Sequence, residues 1–249
     1  GLVGSEMCIR DRNYGRLQPP HLPEFNYVKE ADYCSGASLL VPKSLFIEVG
    51  GFDERYIPAY CEDSDLAFII RSHGYKVYYQ PLSTVIHYEG ISNGVNEKEG
   101  IKSYQRENQV KFFEKWAETL KGEQYNNGEQ VFKARDRSAR KKCILIIDHY
   151  IPQPDRDAGS RTMICFIKTF LNMGMSVKFW PQNLYQDTHY KQTLDELGVE
   201  VYCGTEYLHQ FNRWYKENAC YIDYALLSRP HIAIEFIDPI LKYGDARII

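Results

Sequence analysis

The chain has 249 residues, of which 44% are hydrophobic and 25% charged, a composition typical of a globular protein. Its formal net charge of -3 at pH 7 argues against a nucleic-acid-binding surface, and no apolar run approaches the roughly 20 residues of a membrane span. The seven cysteines show neither CxxC nor zinc-finger spacing, which favours reduced thiols in a cytosolic protein. The length allows one large domain or two small ones.

The first residues match nothing that follows them. Residues Gly1–Arg12 (GLVGSEMCIRDR) resemble translated adapter sequence from assembled sequencing reads, so we exclude them from fold prediction as non-native. We therefore expect that the natural N-terminus is not present here. Residues Asn13–Val28 are rich in proline, which predicts an extended surface segment.

A turn of small residues leads into the first apolar run. Ser35, Gly36 and Ala37 precede a short strand that we predict at Ser38–Val41. Small side chains at such a turn let a ligand approach the backbone closely. The alternative is a tight turn that needs glycine for its own geometry. A short helix is predicted at Pro42–Val49.

An acidic cluster follows, made of Glu62, Asp63 and Asp65. The apolar residues of Leu66–Gly74 recur at a 3.6-residue spacing, which predicts a helix with Glu62 and Asp63 at or before its first turn. The helix dipole and the free N–H groups there favour an ionised carboxylate. Such a carboxylate is a candidate general base. The alternative is ordinary N-capping, because acidic residues are common at helix starts.

One histidine stands at the end of the next apolar run. A strand is predicted at Tyr75–Pro81, and the sequence STVIHYEG then places His87 after two β-branched residues. From the residue type alone, a lone histidine is more often structural than a metal ligand. Residues Gly100–Leu120 predict a long helix with a solvated outer face.

Four blocks of this region, DYCSGASLLVPKSLF, GGFDE, EDSDL and VIHYEG, resemble in order and spacing the second half of a GT-A glycosyltransferase. The type is the family-two enzymes of bacterial polysaccharide assembly, and the resemblance covers residues 13–116. It implies an inverting transfer of a sugar from a nucleotide-sugar to a glycan or lipid-linked saccharide. Asp63 would deprotonate the acceptor hydroxyl, and Glu62 would position Asp63 or that hydroxyl. The resemblance assigns substrate contacts in this half to Ser35, Gly36, Ala37, Gly51 and Asp65.

The same resemblance implies a divalent metal. His87 would complete a site that a DxD motif begins, and the metal would neutralise the diphosphate leaving group. A nitrogen ligand favours manganese over magnesium. The DxD motif and the nucleotide-binding half normally precede the Asp32 region, but only about thirty residues do so here. We therefore expect this chain to lack the DxD half of the metal site and to be inactive by itself.

Residues Lys121–Lys142 are polar, with a basic end, and predict a linker. The basic cluster could contact acidic membrane lipid or a pyrophosphate-linked acceptor. A solvated linker is the alternative, because a charge run alone is weak support for a binding surface.

A second module is predicted from Cys143 onward. CILIID is a continuous apolar run of the buried parallel-strand type. Strands and helices then alternate, which predicts a parallel sheet with helices on both faces and ligands beyond the carboxyl ends of the strands. The further strands are predicted at Ser176–Trp180, Val199–Tyr202, Tyr224–Leu227 and the final ARII. The helices are predicted from Ser160, around His189–Leu197, and at Leu208–Ala219 and Ile232–Tyr243.

The loop Pro154–Arg161 is the informative part of this module. Gly159, Ser160 as an N-cap and Arg161 suit an anion or a sugar at a helix N-terminus; the alternative is a structural capping loop. The absence of G-x-G-x-x-G argues against a dehydrogenase. IDHYIPQPDRDAGSRT resembles the opening of a GT-B glycosyltransferase of the family-four type, which implies that this domain faces the acceptor.

We therefore predict an α/β protein in which part of a GT-A domain precedes a Rossmann-like GT-B N-terminal domain. The boundaries are 13–120 for the first module, 121–142 for the linker and 143–249 for the second. The predicted location is the cytoplasm, with possible peripheral contact to the inner face of the membrane. The predicted activity is glycosyl transfer. A non-catalytic carbohydrate-binding module is the alternative, and an oxidoreductase would require NAD binding.

Overall fold

The computed structural model describes residues 15, 18–86, 103–125 and 129–249. These residues divide into two units. Unit 1 contains Lys29–Arg137 and the described residues up to Pro20, whereas unit 2 contains His21–Val28 and Ser138–Ile249. His87 lies outside the described residues, and its metal role stays a prediction.

Unit 1 is largely helical. Its elements are β1 (Lys29–Glu30), α1 (Lys43–Glu48), α2 (Glu62–Ser72), β2 (Tyr78–Tyr79), α3 (Ser103–Lys115), α4 (Ala117–Glu123) and α5 (Val131–Ala134). Strands β1 and β2 pair in antiparallel fashion. Helix α2 starts at the acidic residues, as predicted, and buries Leu66, Phe68 and Ile70. Phe68 packs against Phe112 and Trp116, so α2 is joined to α3 by an aromatic cluster.

Three sequence predictions in unit 1 need correction. The predicted strand Ser38–Val41 is wrong, because residues Gly36–Ser38 form a single 3-10 turn that the hydroxyl of Ser35 caps. Of the strand predicted at Tyr75–Pro81, only β2 is in a ladder. The long helix predicted at Gly100–Leu120 is, in its described part, the two helices α3 and α4, with a break at Trp116. The helix predicted at Pro42–Val49 is confirmed as α1.

The second part of the proline-rich segment, residues 23–28, is packed rather than extended on the surface. Phe25 and Tyr27 are each only 2% exposed, and residues His21–Val28 belong to unit 2. The backbone N–H of Val28 donates to the carbonyl of Asp195 in that unit, at 2.8 Å. The prediction of a surface segment holds for the exposed residues 18–21 but is wrong for 23–28, because it weighed the prolines and not the two aromatic side chains that follow them.

Unit 2 is a five-stranded parallel sheet with alternating helices. Its elements are β3 (Cys143–Asp148), α6 (Ala158–Asn172), β4 (Ser176–Pro181), α7 (Thr188–Leu197), β5 (Glu200–Val201), α8 (Phe211–Asn218), β6 (Tyr224–Leu227), α9 (Pro230–Tyr243) and β7 (Arg247–Ile248). The strand order is β5-β4-β3-β6-β7, and every pair is parallel. The predicted parallel α/β alternation is confirmed.

The strand order explains where the helices lie. The chain runs from β3 outward to β5 and then returns to β6 on the other side of β3. Because parallel crossovers are right-handed, α6 and α7 cover one face of the sheet and α9 covers the other. Between β3 and β6 the direction of winding reverses. In sheets of this kind, that switch point is where ligands bind, beyond the carboxyl ends of the strands.

The central strand β3 separates two cores. Ile144 and Ile146 are 0% exposed and pack with Met163 and Ile167 of α6. A second, aromatic cluster surrounds Trp180. Its members are Tyr202, Tyr207, Phe211, Trp214, Tyr215 and Phe236. Several of the chain's 20 tyrosines therefore serve packing and not ligand stacking. Within the described ranges, no helix is long and apolar enough to cross a membrane.

Candidate active site

The carboxylate of Asp63 lies at the N-terminus of α2 and faces the Ser35–Ala37 turn. Its Oδ2 accepts the backbone N–H of Gly36 at 2.7 Å, and its Oδ1 accepts the N–H of Ser64 at 2.7 Å. The N-cap of α2 is Cys61, which makes no side-chain capping bond. Simple N-capping therefore does not explain Asp63. The carboxylate is instead fixed against a loop 27 residues earlier in the chain, at the positive end of the helix dipole.

Gly36 lies in direct contact with the carboxylate of Asp63. A Cβ atom at residue 36 would lie 3.4 Å from the Cβ of Asp63 and 3.5 Å from its Oδ2. Gly36 and Ala37 are exposed, and Asp63 is partly exposed, so the carboxylate lies at the surface of unit 1. A carboxylate can accept about four hydrogen bonds, and the described donors to Asp63 are Gly36 N–H and the backbone and hydroxyl of Ser64. Acceptor capacity therefore remains for a substrate hydroxyl.

The backbone directly before the acidic pair is strained. Tyr60 and Cys61 both have left-handed conformations, with φ of 77° and 74°, which non-glycine residues rarely adopt. The buried side chain of Asn108 in α3 holds this loop by donating to the carbonyls of Tyr56 and Ala59, each at 2.7 Å. Strain that the surroundings maintain in this way is concentrated at functional sites in proteins.

Glu62 occupies a different environment from its neighbour. Burial raises the pKa of its carboxyl, and the charge of Asp63 adds to this effect against hydrogen bonds from the backbone of Glu62 and Tyr60. Its Oε2 is buried and has no hydrogen-bond partner among the described residues. A buried oxygen without a partner is rare in native proteins. Glu62 therefore has an unpaired oxygen in the residue next to Asp63, and that oxygen is closed to solvent.

Asp65 has a structural environment. Its side chain is 0% exposed, and Oδ1 accepts from Trp116 Nε1 at 2.7 Å and from the Tyr56 hydroxyl at 3.1 Å. Its Oδ2 accepts from Lys115 Nζ at 2.8 Å, and Lys115 also pairs with Asp53. These bonds fasten α2 to α3 and leave no surface on Asp65 for a ligand. The substrate contact expected of Asp65 therefore has no support in this geometry.

The other predicted contacts in unit 1 are spread over two places. Ser35 and Ala37 lie with Gly36 in the turn beside Asp63. Gly51 lies just after the C-terminal end of α1, where its N–H donates to the carbonyl of Phe46 at 2.8 Å, and its φ of 71° favours glycine. No described contact joins Gly51 to Asp63.

A charged network anchors the loop that leads to Gly36, and sequence reasoning did not predict it. Asp32 is 5% exposed and pairs with Arg137 and Arg71, and both arginines pair with Glu123. Desolvation raises the pKa of Asp32 against the opposing charges of the two arginines. Arg137 lies within the predicted linker, where the sequence predicts that basic side chains are exposed to solvent. Only the fold brings it to Asp32, 105 residues earlier.

Cys34 lies beside this site as a neutral thiol. Burial raises its pKa to about 11, and the nearby charge of Asp63 adds to the increase. Since the thiolate is the reactive form of cysteine, Cys34 is a poor nucleophile here.

The described residues do not by themselves provide a metal site. Across residues 18–86, 103–125 and 129–249, no group of three or more His, Cys, Asp or Glu side chains could hold a metal ion. Asp65, one of the three carboxylates of the acidic cluster, is enclosed by Lys115, Trp116 and Tyr56 and is therefore not open to a metal ion.

Unit 2 contains a cavity of about 670 Å³ at its switch point. It lies at the carboxyl ends of β3 and β6 and at the start of α6. Its lining residues are Asp148, Tyr150, Asp157, Ala158, Gly159, Thr162, Met163, Phe166, Ser228 and Arg229. Asp148 accepts from Arg229 Nε at 3.2 Å, so one carboxylate and the guanidinium are already paired. The position agrees with the predicted ligand site beyond the strand ends.

Only one of the three residues predicted in the Pro154–Arg161 loop lines this cavity. That residue is Gly159. Ser160 is 3% exposed and was wrongly predicted as the N-cap; the N-cap is Asp157, whose Oδ1 accepts the N–H of Ser160 at 2.7 Å. Arg161 instead donates to the carbonyl of Pro154 at 3.3 Å. Aspartate and serine both cap helices, and Asp157 and Ser160 are three positions apart. The sequence pattern therefore allowed the helix to begin after either residue.

Comparison with known proteins finds similarity over part of the chain. The "N-acetylglucosaminyl-diphospho-decaprenol L-rhamnosyltransferase" of Mycobacterium tuberculosis, in strains CDC 1551 / Oshkosh and ATCC 25618 / H37Rv, is 39% identical over 79 residues. That stretch is 32% of this chain and 23% of the relative. "Rhamnosyltransferase WbbL" of Escherichia coli strain K12 is 42% identical over 62 residues, or 25% of this chain and 23% of the relative. The matched stretch thus spans less than a quarter of each relative's length. No family model matches the chain, and no solved structure matches it.

Proposed function

We propose that this chain is part of a glycosyltransferase that moves a sugar from a nucleotide-sugar donor to a hydroxyl of a glycan or lipid-linked saccharide. The observation that carries the proposal is the Asp63 carboxylate, held at the start of α2 by Gly36 N–H and left partly exposed. The relatives that match part of the chain are named as rhamnosyltransferases, which supports the same class of reaction. Synthesis of a cell-surface polysaccharide is the proposed context.

Asp63 acts as the general base in this proposal. Its carboxylate takes the proton of the acceptor hydroxyl as the hydroxyl oxygen attacks the anomeric carbon of the donor. The bond from that carbon to the nucleoside diphosphate breaks, and the diphosphate leaves with the electron pair. A single displacement of this kind inverts the configuration at the anomeric carbon. Glu62 positions Asp63 rather than the acceptor hydroxyl, because its unpartnered Oε2 is buried and out of reach of a substrate.

Gly36 and the ion pairs of Asp32 hold the carboxylate of Asp63 in position. The Gly36 N–H fixes one oxygen of Asp63, and Asp32 fixes the loop that carries Gly36 through Arg71 and Arg137. Orientation of a reacting group matters because a misplacement of about 1 Å can cost about 100-fold in rate. We also propose that a divalent metal, with His87 among its ligands, would neutralise the diphosphate leaving group.

The proposed function is tested by acceptor-dependent release of nucleoside diphosphate. The natural full-length protein that carries this chain is incubated with nucleotide-sugars, including a rhamnosyl donor, with and without a lipid-linked saccharide. Release that requires both substrates, together with a lengthened acceptor in the mass spectrum, is the expected result. Binding of the saccharide without any turnover would contradict the proposal and favour a carbohydrate-binding module.

Removal of the Gly36 hydrogen bond is expected to slow transfer without unfolding unit 1. Gly36→Pro deletes the N–H that Asp63 accepts, and the first position of the 3-10 turn after an extended Ser35 tolerates proline. A hydrogen bond to a charged group contributes about 1.5–3 kcal/mol, so kcat/KM should fall by about 10- to 100-fold. Gly36→Ala, which keeps the N–H and places a Cβ at ordinary contact distance from Asp63, is the matched control. Equal rates for the two variants would show that the hydrogen bond does not matter.

A further inference from the structure

Both amide hydrogens of Asn108 in α3 bind the loop that leads into α2. The side chain of Asn108 is 0% exposed, and its Nδ2 donates to the carbonyls of Tyr56 and Ala59, each at 2.7 Å. Its Oδ1 accepts from Lys111 Nζ, about one turn further along α3, at 3.1 Å. Carbonyl oxygens only accept hydrogen bonds and an ammonium group only donates them, so these partners leave a single orientation for the amide.

Lys111 extends the contact of Asn108 with the same loop. Its Nζ also donates to the carbonyl of Arg55 at 3.1 Å, and it pairs with Glu107 of its own helix at 2.8 Å. Asn108 and Lys111 together therefore bind three backbone carbonyls, those of residues 55, 56 and 59. A buried polar network whose groups are paired in this way makes the backbone that it binds rigid.

The loop that these two side chains bind ends in the two left-handed residues, Tyr60 and Cys61. Non-glycine residues are strained in this conformation, and they keep it only where the surrounding structure holds them. The carbonyl of Cys61 accepts the N–H of Asp65 at 2.9 Å, which begins the hydrogen bonding of α2. Since Asp63 is only two residues after Cys61, the direction in which α2 leaves this turn determines where the Asp63 carboxylate lies relative to Gly36.

Helix α3 also holds the body of α2. Phe112 is four residues after Asn108, and therefore on the same face of α3, and its ring centroid lies 5.1 Å from that of Phe68 in α2. One face of α3 thus contacts both the loop before the strained turn and the helix after it. A change in the turn should therefore be concentrated in the first residues of α2, where Asp63 lies.

We propose that Asn108 is a positioning residue for sugar transfer, which holds the Tyr60–Cys61 turn in the conformation that presents the Asp63 carboxylate to Gly36. Asn108 acts through the backbone and does not contact the substrate. Lys111 supports it by fixing the orientation of the amide. This inference rests on the proposed function, because it takes Asp63 as the general base.

The first test measures the position of Asp63 without any turnover. Gly36 N–H donates to the Asp63 carboxylate at 2.7 Å, and a strong bond of this charge-assisted kind shifts the amide proton resonance downfield. In NMR spectra of the whole chain, Asp63→Ala marks the position of the Gly36 resonance when the bond is lost. Asn108→Asp keeps the shape of the side chain but turns a carboxylate toward two carbonyls, so the resonance should move toward that position. An unchanged Gly36 resonance in folded Asn108→Asp would overturn the proposal.

The second test separates positioning from stability in the full-length protein. Asn108→Asp should lower kcat by about 10- to 100-fold with KM nearly unchanged, because a misplacement of about 1 Å can cost about 100-fold in rate. Phe112→Leu is the matched control, since it weakens the packing of α2 on α3 and leaves the bonds to the loop carbonyls in place. It should lower Tm and leave kcat nearly unchanged. An equal loss of kcat in the two variants would show a merely structural role and overturn the proposal.

The third test is rescue by a glycine in the strained turn. Glycine adopts the φ of 74° found at Cys61 without strain, so Cys61→Gly should restore part of the kcat that Asn108→Asp loses. Cys61→Gly also removes packing against the cluster of Tyr56, Phe68 and Phe112, so it would not rescue a general loss of stability. Absence of any recovery would overturn the proposal. If the full-length protein transfers no sugar, the proposed function fails, whereas the Gly36 resonance still decides whether Asn108 positions Asp63.

Discussion

Asp63→Asn is expected to lower the rate of sugar transfer by the full-length protein by about 10²–10⁴-fold, the usual contribution of a positioned general base. Asparagine has nearly the same shape, and its carbonyl oxygen can still accept the N–H of Gly36. It cannot take a proton from the acceptor hydroxyl at neutral pH. The loss should therefore be in kcat more than in substrate binding. Initial rates of nucleoside diphosphate release at saturating acceptor measure it.

The control for this variant is Asp53→Asn. Asp53 is a carboxylate of the same unit, bonded to Lys115 and to the backbone of Arg55, and it lies outside the Ser35–Asp63 arrangement. Its replacement should leave kcat close to that of the unaltered protein. Circular dichroism and thermal unfolding would show that both variants are folded. Turnover near the wild-type rate in Asp63→Asn would remove the base assignment.

Asp65→Leu is expected to destabilise unit 1 by about 3–5 kcal/mol, the usual cost of breaking a buried ion pair from one side. Leucine is bulkier than aspartate and accepts no hydrogen bond, so crowding of the enclosed site adds to the lost bonds. Trp116 Nε1 and the Tyr56 hydroxyl would lose their described acceptor, and Lys115 would keep only Asp53. Because these bonds join α2 to α3, the start of α2 should loosen with them.

Hydrogen exchange read by mass spectrometry measures this effect segment by segment. Amides of α2 and α3 should exchange faster in Asp65→Leu, whereas those of β3 and α6 in unit 2 should be unchanged. Asp53→Asn is again the comparison, since it removes a partly exposed partner of the same lysine and surface pairs contribute only about 0–1 kcal/mol. Unchanged protection of α2 in Asp65→Leu would show that the packing of Phe68 and Phe112 suffices without the buried charge.

The two aspartates show how far the sequence could assign the site. Both belong to the acidic cluster at the start of a predicted helix, and the resemblance assigns the base to Asp63 and a substrate contact to Asp65. A helix turns by 100° per residue, so positions 63 and 65 lie about 200° apart and point to opposite sides. Which side carries the turn of Gly36 and which carries Trp116 depends on contacts across 27 and 51 residues. The sequence pattern around α2 does not show which residues so far away in the chain will contact each aspartate.

The same distinction holds in unit 2. The apolar run of β3 predicted a buried central strand, and the alternation of strands and helices predicted a parallel sheet, because burial and helical periodicity are local properties of the chain. The pairing of Asp148 with Arg229, 81 residues later, depends on strand order and could not be predicted in that way.

The sequence alone indicated the elements that hydrophobic spacing encodes, which are helix α2 with its acidic start and the strands of unit 2, and it predicted a ligand site beyond the carboxyl ends of those strands. It also narrowed the candidate base to the acidic cluster. The tertiary structure decided that Asp63 faces the surface and Asp65 the interior, that Asp157 caps α6, and that Phe25 and Tyr27 are buried in unit 2. The physical reason is that a side chain's role follows from what packs against it, and those partners are brought together by folding from distant parts of the chain.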